Sequence, residues 1–271
     1  MSEVWVVGSL NIDLVARVER FPRPGETLLG HDFQRRPGGK GANQAAAAAA
    51  GGVPVHLIGS VGDDEAGRTY RAALAQRGVD TSAVLVRRSA ATGHAVILVD
   101  DQGENSIVVI AGANATLTPA DVASLTPAPG DVVMLQLETP LDVVSRAIKT
   151  ARNAGAVVIL NLSPFQQLDA ELLAGCDVIV VNETENAQLV GAGMSHESVV
   201  VTRGAGGATW GSAHASARAH RVVDSTGAGD AFTGALAAAI AAAKDRQAAL
   251  EHAVLAGARA VEHPGAQDWA L

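Results

Sequence analysis

One cysteine, Cys176, stands in 271 residues, so no disulfide can close within the chain and a reducing, cytoplasmic setting is expected. Aromatic residues make up 3% of the chain against a hydrophobic fraction of 48%. Ala, Val, Leu and Gly must therefore carry the packing, which suits helices lying close on a sheet. Basic residues are in deficit: Lys and Arg number 20 against 28 Asp and Glu, a formal charge of -8. That balance gives no broad attraction for nucleic acid or anionic membranes, so neither is expected as a partner, and any phosphate must be held locally. Long apolar runs are also missing. Nothing approaches the ~20 residues that cross a bilayer, and the apolar run 235–243 is far shorter. The opening MSEVWVVGSLNIDL carries Glu3 and no basic segment, so no signal peptide is expected. The eight histidines show no clustered metal-ligand spacing, and Cys176, beside Asp177, reads as packing rather than as a nucleophile.

What is present is an alternation of buried-looking strands and helices. The β-branched run 4–7 ends at Gly8, as a buried strand entering a loop does. Further strands are predicted over 55–59, 131–136, 156–161, 177–181 and 198–202, with helices over 41–50, 64–77, 140–154, 183–190, 228–243 and 247–262. Such alternation implies a parallel sheet covered on both faces. Two patches do not fit it. Residues 12–36 carry turn signals at Pro22, Pro24, Gly25 and Gly30 and read as two or three short exposed strands. Residues 94–99 and 106–110 read as a hairpin around Asp100, Asp101, Gln102 and Gly103. The expectation is one three-layer α/β/α domain over 1–271 with a mostly parallel central sheet. A small β-sheet lid, formed by about 11–37 and 93–111, would pair the two patches with each other.

Chemistry concentrates in a few short motifs. Asp224-Ser225-Thr226-Gly227-Ala228-Gly229-Asp230 runs straight into an Ala-rich helical segment. Its glycines allow a tight turn whose amides point at an anion, the helix N-terminus adds positive potential, and Asp230 in the first turn can take a proton from an attacking hydroxyl. The same residues also read as a Ser/Thr/Asp cap after a glycine turn. Pro37-Gly38-Gly39-Lys40-Gly41-Ala42-Asn43-Gln44 lacks the Walker A spacing. It offers either a flexible helix entry with Lys40 and Asn43 exposed to a polyol, or an ordinary glycine-rich helix start. Asn11 and Asp13 lie two apart after the first strand and face one way if extended, as a grip on vicinal hydroxyls or as a turn cap. Gln136 and Glu138 follow a later strand, at the edge where open α/β sheets bind ligands. Asn182 and Glu185 have capping-box spacing, and their oxygens also suit a water-held magnesium. Thr202 and Gly204 follow another strand and can line a nucleotide pocket; the glycines there lack a dinucleotide fingerprint.

Together and in this order, the segments GSLNID, GGKGANQ, GENSIVVIAGAN, QLETP, NETE and DSTGAGD resemble the ribokinase (PfkB-type) family of sugar kinases, from about Val4 to Gln267. The resemblance implies an ATP-dependent carbohydrate kinase acting on the terminal 5-hydroxyl of a sugar, foremost D-ribose. It implies Asp230 as base, with Gly227, Ala228 and Gly229 as an anion hole. Asn11, Asp13, Gly39, Lys40, Asn43 and Glu138 would bind the sugar, and Asn182, Thr202 and Gly204 the nucleotide. Glu185 would hold Mg2+ through water. An activating K+ would sit at Asp224, Thr226, Ala260 and Gly265, and the lid would form a homodimer interface. Alternatives are a deoxyribose or nucleoside kinase of the same fold, or a sugar-binding regulatory protein that has lost turnover. The chain departs from the family pattern in short stretches at 189–199 and 211–223, at His263-Pro264, at Asp268, and in ending soon after, at Leu271.

Overall fold

Residues 2–218 and 221–267 are described by the computed structural model; Asp268 and the end of the chain at 269–271 lie outside the described residues. The first half of the chain runs β1 (Val4–Val7), β2 (Asn11–Val18), β3 (Gly30–Gly38), α1 (Lys40–Ala50), β4 (Val55–Gly62), α2 (Glu65–Gln76), β5 (Val79–Asp80), β6 (Val84–Arg87), β7 (Gly93–Val99) and β8 (Asn105–Ile110). Then come β9 (Val132–Leu135), α3 (Leu141–Ala154), β10 (Val157–Asn161), α4 (Ala170–Ala174), β11 (Val178–Asn182), α5 (Glu183–Gly191) and β12 (Val199–Thr202). β13 (Ala208–Trp210), β14 (Ala213–Ala215), α6 (Ala228–Ala241) and α7 (Arg246–Ala260) complete it.

The larger sheet has the order β14-β13-β12-β11-β10-β9-β1-β4-β5, with β6 also on β4. Its strands are parallel except at the edge, where β13 and β14 turn back antiparallel. β1 is central: Val4–Val7 pairs in register with Val55 to Ile58 on one side and Val132 to Leu135 on the other. Because strand side chains alternate, these runs feed two separate cores. Val4, Val6, Leu57 and Met134 meet the alanines of α1 together with Leu236 and Leu250. Val7, Ile58, Val133 and Leu135 meet Val143, Val144, Ala147 and Ile148 of α3. The mostly parallel sheet with helices on both faces is the expected architecture.

The shortage of aromatics is answered by close approach. A Cβ on Gly234 would lie 2.3 Å from the Gln44 carbonyl oxygen and 2.5 Å from Ala47 Cβ, so α1 and α6 touch nearly backbone to backbone. Each fully buried Leu or Val still contributes about 1.5–3 kcal/mol, and fully buried Leu57, Leu135, Leu160 and Leu236 sit in this framework.

The second sheet has the order β3-β2-β7-β8. The two outlying patches do pair, β2 lying parallel to β7 from Asn11–Gly93 to Arg17–Val99. The 12–36 patch holds two strands of 8 and 9 residues rather than three short ones. The outer strand β8 leaves Ile107, Val108, Val109 and Ile110 at least half exposed, as is Phe33 on β3.

Short elements escape periodicity: β5, β6, β13, β14 and α4 have 5 residues or fewer each. The abbreviated connection between α5 and β12 is closed by His196, whose Nε2 meets the Cys176 carbonyl at 3.0 Å. Just before the other short stretch, Trp210 donates to Ser198 Oγ at 2.8 Å and lies under the Arg246 guanidinium, which is 5.0 Å from the ring centroid. Cys176 is buried, and burial foremost pushes its thiol up to about 12, which leaves it an inert packing group. No helix of the described residues is long and apolar enough to cross a membrane.

Candidate active site

Parallel strands end together, so β1, β9, β10, β11 and β12 deliver Ser9, Gln136 with Glu138, Asn161, Asn182 and Thr202 to one edge of the sheet. Of the helices that begin over that edge, α1 and α6 have no cap from their own N-cap side chain. α1 follows Gly39, whose φ of 86° opens the left-handed region and where a Cβ would lie 2.6 Å from Asn11 N. The first amides of α1 are held from a distance: Lys40 N donates to Glu138 Oε2 at 3.0 Å and Gly41 N to Ser9 Oγ at 3.3 Å. Ser9 Oγ in turn donates to Glu138 Oε2 at 2.5 Å.

α6 follows Gly227, with φ 74° and ψ 0°, and no side chain caps it. A Cβ there would meet Ala266 Cβ at 2.4 Å. The reading of this loop as an ordinary side-chain cap therefore does not hold; the amide end of α6 is left facing a cavity. That cavity, of about 120 Å3, is lined by Lys40, Asn182, Glu185, Thr202, Gly227, Gly229 and Asp230.

Asp230 is buried and doubly held. Asn43 Nδ2 donates to its Oδ2 at 2.9 Å and Gln44 Nε2 to its Oδ1 at 2.9 Å. The amides continue outward on both sides. Gln267 Nε2 donates to Asn43 Oδ1 at 2.9 Å and also reaches the Tyr70 hydroxyl, which donates to the Gly38 carbonyl at 2.7 Å. Gln136 Nε2 donates to Gln44 Oε1 at 2.7 Å, and Gln44 Nε2 reaches Asn161 Oδ1 at 3.0 Å. Buried polar groups joined in this way hold one geometry, because breaking any link leaves an unsatisfied donor or acceptor. Asn43, expected to be exposed, is 4% exposed for this reason.

Beside Asp230 the lid strand β2 presents Asn11 and Asp13, both buried. Asn11 Oδ1 accepts from Asn114 Nδ2 at 2.8 Å, which fixes its amide. Burial foremost, then the charges of Glu138 and Asp230, push Asp13 up to about 7, with Arg36 opposing. Lys40 shows the converse. Burial disfavours its charge, but Asp230, Glu138 and Glu185 outweigh this and hold the ammonium above its ordinary value. An acid cluster of Asp13, Glu138 and Asp230 and the Lys40 ammonium thus lie together beside the α6 cavity.

The capping box of α5 is formed in full: Glu185 N donates to Asn182 Oδ1 at 2.8 Å and Asn182 N to Glu185 Oε2 at 2.9 Å. Thr202 Oγ1 donates to the Val181 carbonyl at 3.3 Å and lines the same cavity, while Gly204 lies on an exposed turn beyond it. Glu185, with one oxygen committed to Asn182 N, suits a magnesium ion that keeps most of its waters and takes phosphate oxygens. The potassium positions fit poorly. Asp224 accepts from Thr226 N at 2.9 Å, Gly265 N at 3.0 Å and Arg36 Nη1 at 3.2 Å, and the Ala260 carbonyl takes His263 N at 3.2 Å. Donors and a guanidinium surround the carboxylate where a cation needs oxygens, so the residues present do not fit a potassium ion.

The motifs thus gather Asp230, Gly227, Gly229, Lys40, Asn43, Asn182, Glu185 and Thr202 with Asn11, Asp13, Gly39 and Glu138 at one sheet edge, Ala228 opening α6 beside them. Unassigned from sequence were Ser9, Arg36, Gln44, Tyr70, Asn114, Asn161 and Gln267, which hold the others together with Gln136, already noted at its strand end. Ser9, Gln44, Asn114 and Gln136 lay inside motifs already noted, and Asn161 repeats the strand-end amide of Asn182.

A sheet edge flanked by a second small sheet, with a held carboxylate under a helix start and a nearby cation, is the layout of a small-molecule phosphotransferase. The chain belongs to the pfkB family of carbohydrate kinases, whose model matches residues 1–270. It is 38% identical to the ribokinase of Haemophilus influenzae, over 97% of this chain and 93% of that protein. It is 34% identical to the deoxyribokinase of Salmonella typhi, over 98% and 94%. The structure of Arabidopsis thaliana ribokinase complexed with ribose and ATP superposes with a TM-score of 0.84 at 31% identity, covering 99% of this chain and 96% of that one.

Proposed function

We infer that this chain transfers the γ-phosphoryl group of ATP to the 5-hydroxyl of D-ribose. The observation that carries the reading is Asp230, clamped by Asn43 and Gln44 at the amide end of α6 in a cavity shared with Lys40. The sugar lies between the lid and the sheet edge, its hydroxyls on Asn11, Asp13, the Gly39 backbone, Lys40, Asn43 and Glu138. Its 5-hydroxyl oxygen attacks the γ-phosphorus and the bond to the β,γ-bridging oxygen breaks. The hydroxyl proton passes to Asp230 and ADP leaves. The amides of Gly227, Ala228 and Gly229, with the helix dipole, take the charge that develops on the transferring group. Asn182 and Thr202 border the ATP phosphates, and Gly204 lies toward the base. Magnesium, organised through water by Glu185, supplies neutralisation of the phosphate charge. The lid excludes water, so ATP is not lost to hydrolysis. Potassium is not part of this reading, because Arg36 already stands on Asp224.

The deoxyribokinase relative supports a second acceptor, 2-deoxyribose. Release of ADP from MgATP should depend on D-ribose, with 2-deoxyribose slower and fructose and adenosine near background; a preference for deoxyribose or adenosine would overturn the ribose assignment. No turnover with any of these acceptors, despite sugar binding, would favour the regulatory alternative. The exposed apolar strand β8 further supports pairing of two lids in a homodimer. A single monomeric species at micromolar concentration in sedimentation would exclude that. The lone reduced cysteine fits a cytoplasmic location, testable by cell fractionation.

A further inference from the structure

Arg36 sits where three parts of the molecule meet. It lies on β3 directly across from Asp13 on β2, so it belongs to the lid sheet that carries the sugar-facing carboxyl. Its side chain leaves the lid and reaches Asp224, at the start of the loop that opens α6, with Nη1 3.2 Å from Oδ2. The guanidinium is aimed rather than free: Nε and Nη2 both donate to Gln34 Oε1, at 2.9 and 2.5 Å, and Gln34 Nε2 donates to Asp32 at 2.6 Å. Gly265 makes room for it, since a Cβ there would lie 3.0 Å from Arg36 Nη1 and 3.2 Å from its Cδ. The pair is partly sheltered, with side chains 21% and 24% exposed.

The other two bonds of Asp224 fix the loop itself. Thr226 N is one residue from Gly227, the N-cap of α6, and Gly265 N is one residue from Ala266, against which Gly227 packs. A positive charge on Asp224 therefore completes the support under the anion hole. We propose that Arg36 is a built-in cation for this carboxylate, a positioning residue that does the work a bound monovalent ion would do there and ties the anion-hole loop to the lid. Because the guanidinium is covalently part of the lid, closing the lid over sugar and setting the loop become one event. A second cation beside it would meet like charge, so the protein needs none.

The proposal rests on the kinase reading for its kinetic arm, and a substrate-free arm keeps the two separable. Wild type, Arg36→Gln and Arg36→Lys are compared in KCl and in N-methylglucamine chloride of equal ionic strength, by melting without substrates and by ADP release with D-ribose and MgATP. Wild type should melt alike in both salts and turn over within about twofold in each. Arg36→Gln should lose about tenfold in kcat in N-methylglucamine, with a smaller change in ribose KM. KCl should restore part of that loss and raise the melting temperature of this variant alone. Arg36→Lys, which keeps the charge, should retain more of the turnover and show no KCl response. A severalfold KCl stimulation or a KCl-dependent melting shift in wild type would overturn the proposal. So would an Arg36→Gln protein that is unimpaired without potassium, or one whose loss potassium leaves untouched. If no sugar is phosphorylated, the kinase reading falls and the melting arm alone decides the role of Arg36. If Arg36→Gln does not fold, the wild-type salt comparison decides it.

Discussion

Asp230→Asn is expected to lower kcat by about a thousandfold while ribose still binds, because general-base removal typically costs 10²–10⁴ in rate. The two oxygens of the carboxylate receive Asn43 Nδ2 and Gln44 Nε2. An asparagine keeps one of those acceptors and turns its own amide nitrogen toward the other donor. One buried N–H then loses its partner, at a cost of about 1–3 kcal/mol. Both effects are measurable and separable: ADP release reports the base, thermal melting reports the donor clash, and calorimetric titration with ribose reports the pocket. Asp230→Ala, which opens space without opposing two donors, should be just as inactive. Sugar binding retained in both variants with turnover abolished fits the assignment. A variant retaining a tenth or more of wild-type kcat would remove Asp230 as the base and leave positioning and the anion hole to account for catalysis.

The framework was legible in the sequence because its signals are local. β1, β9, β10 and β11 are rich in β-branched residues, α1 and α6 are rich in alanine, and their bounds in the structure lie within a residue or two of expectation. The pairing of the two outlying patches followed from exclusion: neither fits a sheet buried on both faces, so β2 and β7 had to find each other. The residues that hold the site were much less legible, for a physical reason. Gln44 meets Gln136 and Asn161 across separations of 92 and 117 positions, and Asn43 meets Gln267 across 224. An amide gives no sign in sequence of whether its partner is water or another amide, so Asn43 was read as exposed. Arg36 was hidden in the same way. On a strand of an exposed patch it looks solvated, and only the return of the chain at Asp224 and Gly265 turns it into a contact. The cap-or-site ambiguity at Gly227 was likewise undecidable locally, since Ser225, Thr226 and Asp224 are all competent caps; the structure leaves the helix uncapped by side chains.

Asp13→Asn is expected to stabilise the sugar-free protein at pH 8 and weaken it as an enzyme. The wild-type carboxyl, ordinarily near 3.8, is pushed up to about 7 by burial and then by Glu138 and Asp230. Between those values the folded chain binds a proton that the unfolded chain does not. Stability from this group is therefore full at pH values below the unfolded value, falls as pH rises toward about 7, and is gone above it. At pH 8 the folded chain carries a buried charge that the unfolded chain would solvate, a penalty of roughly 2–4 kcal/mol. Asparagine removes that charge, so melting at pH 8 should rise by several degrees, with little gain at pH 5. The same charge is the stronger acceptor for sugar hydroxyls, and losing a charged hydrogen bond of about 1.5–3 kcal/mol should raise ribose KM roughly 10- to 100-fold. In wild type kcat/KM for ribose should climb from pH 6 to a plateau above pH 7, as the Asp13 carboxyl of the free protein loses its proton. That limb should flatten in Asp13→Asn. A wild-type profile already flat between pH 6 and 8, or a variant that melts lower than wild type at pH 8, would show that Asp13 does not carry the strain. If both expectations hold, the lid strand is strained in the empty protein, and bound sugar, by hydrogen bonding to Asp13, supplies the solvation that folding removed.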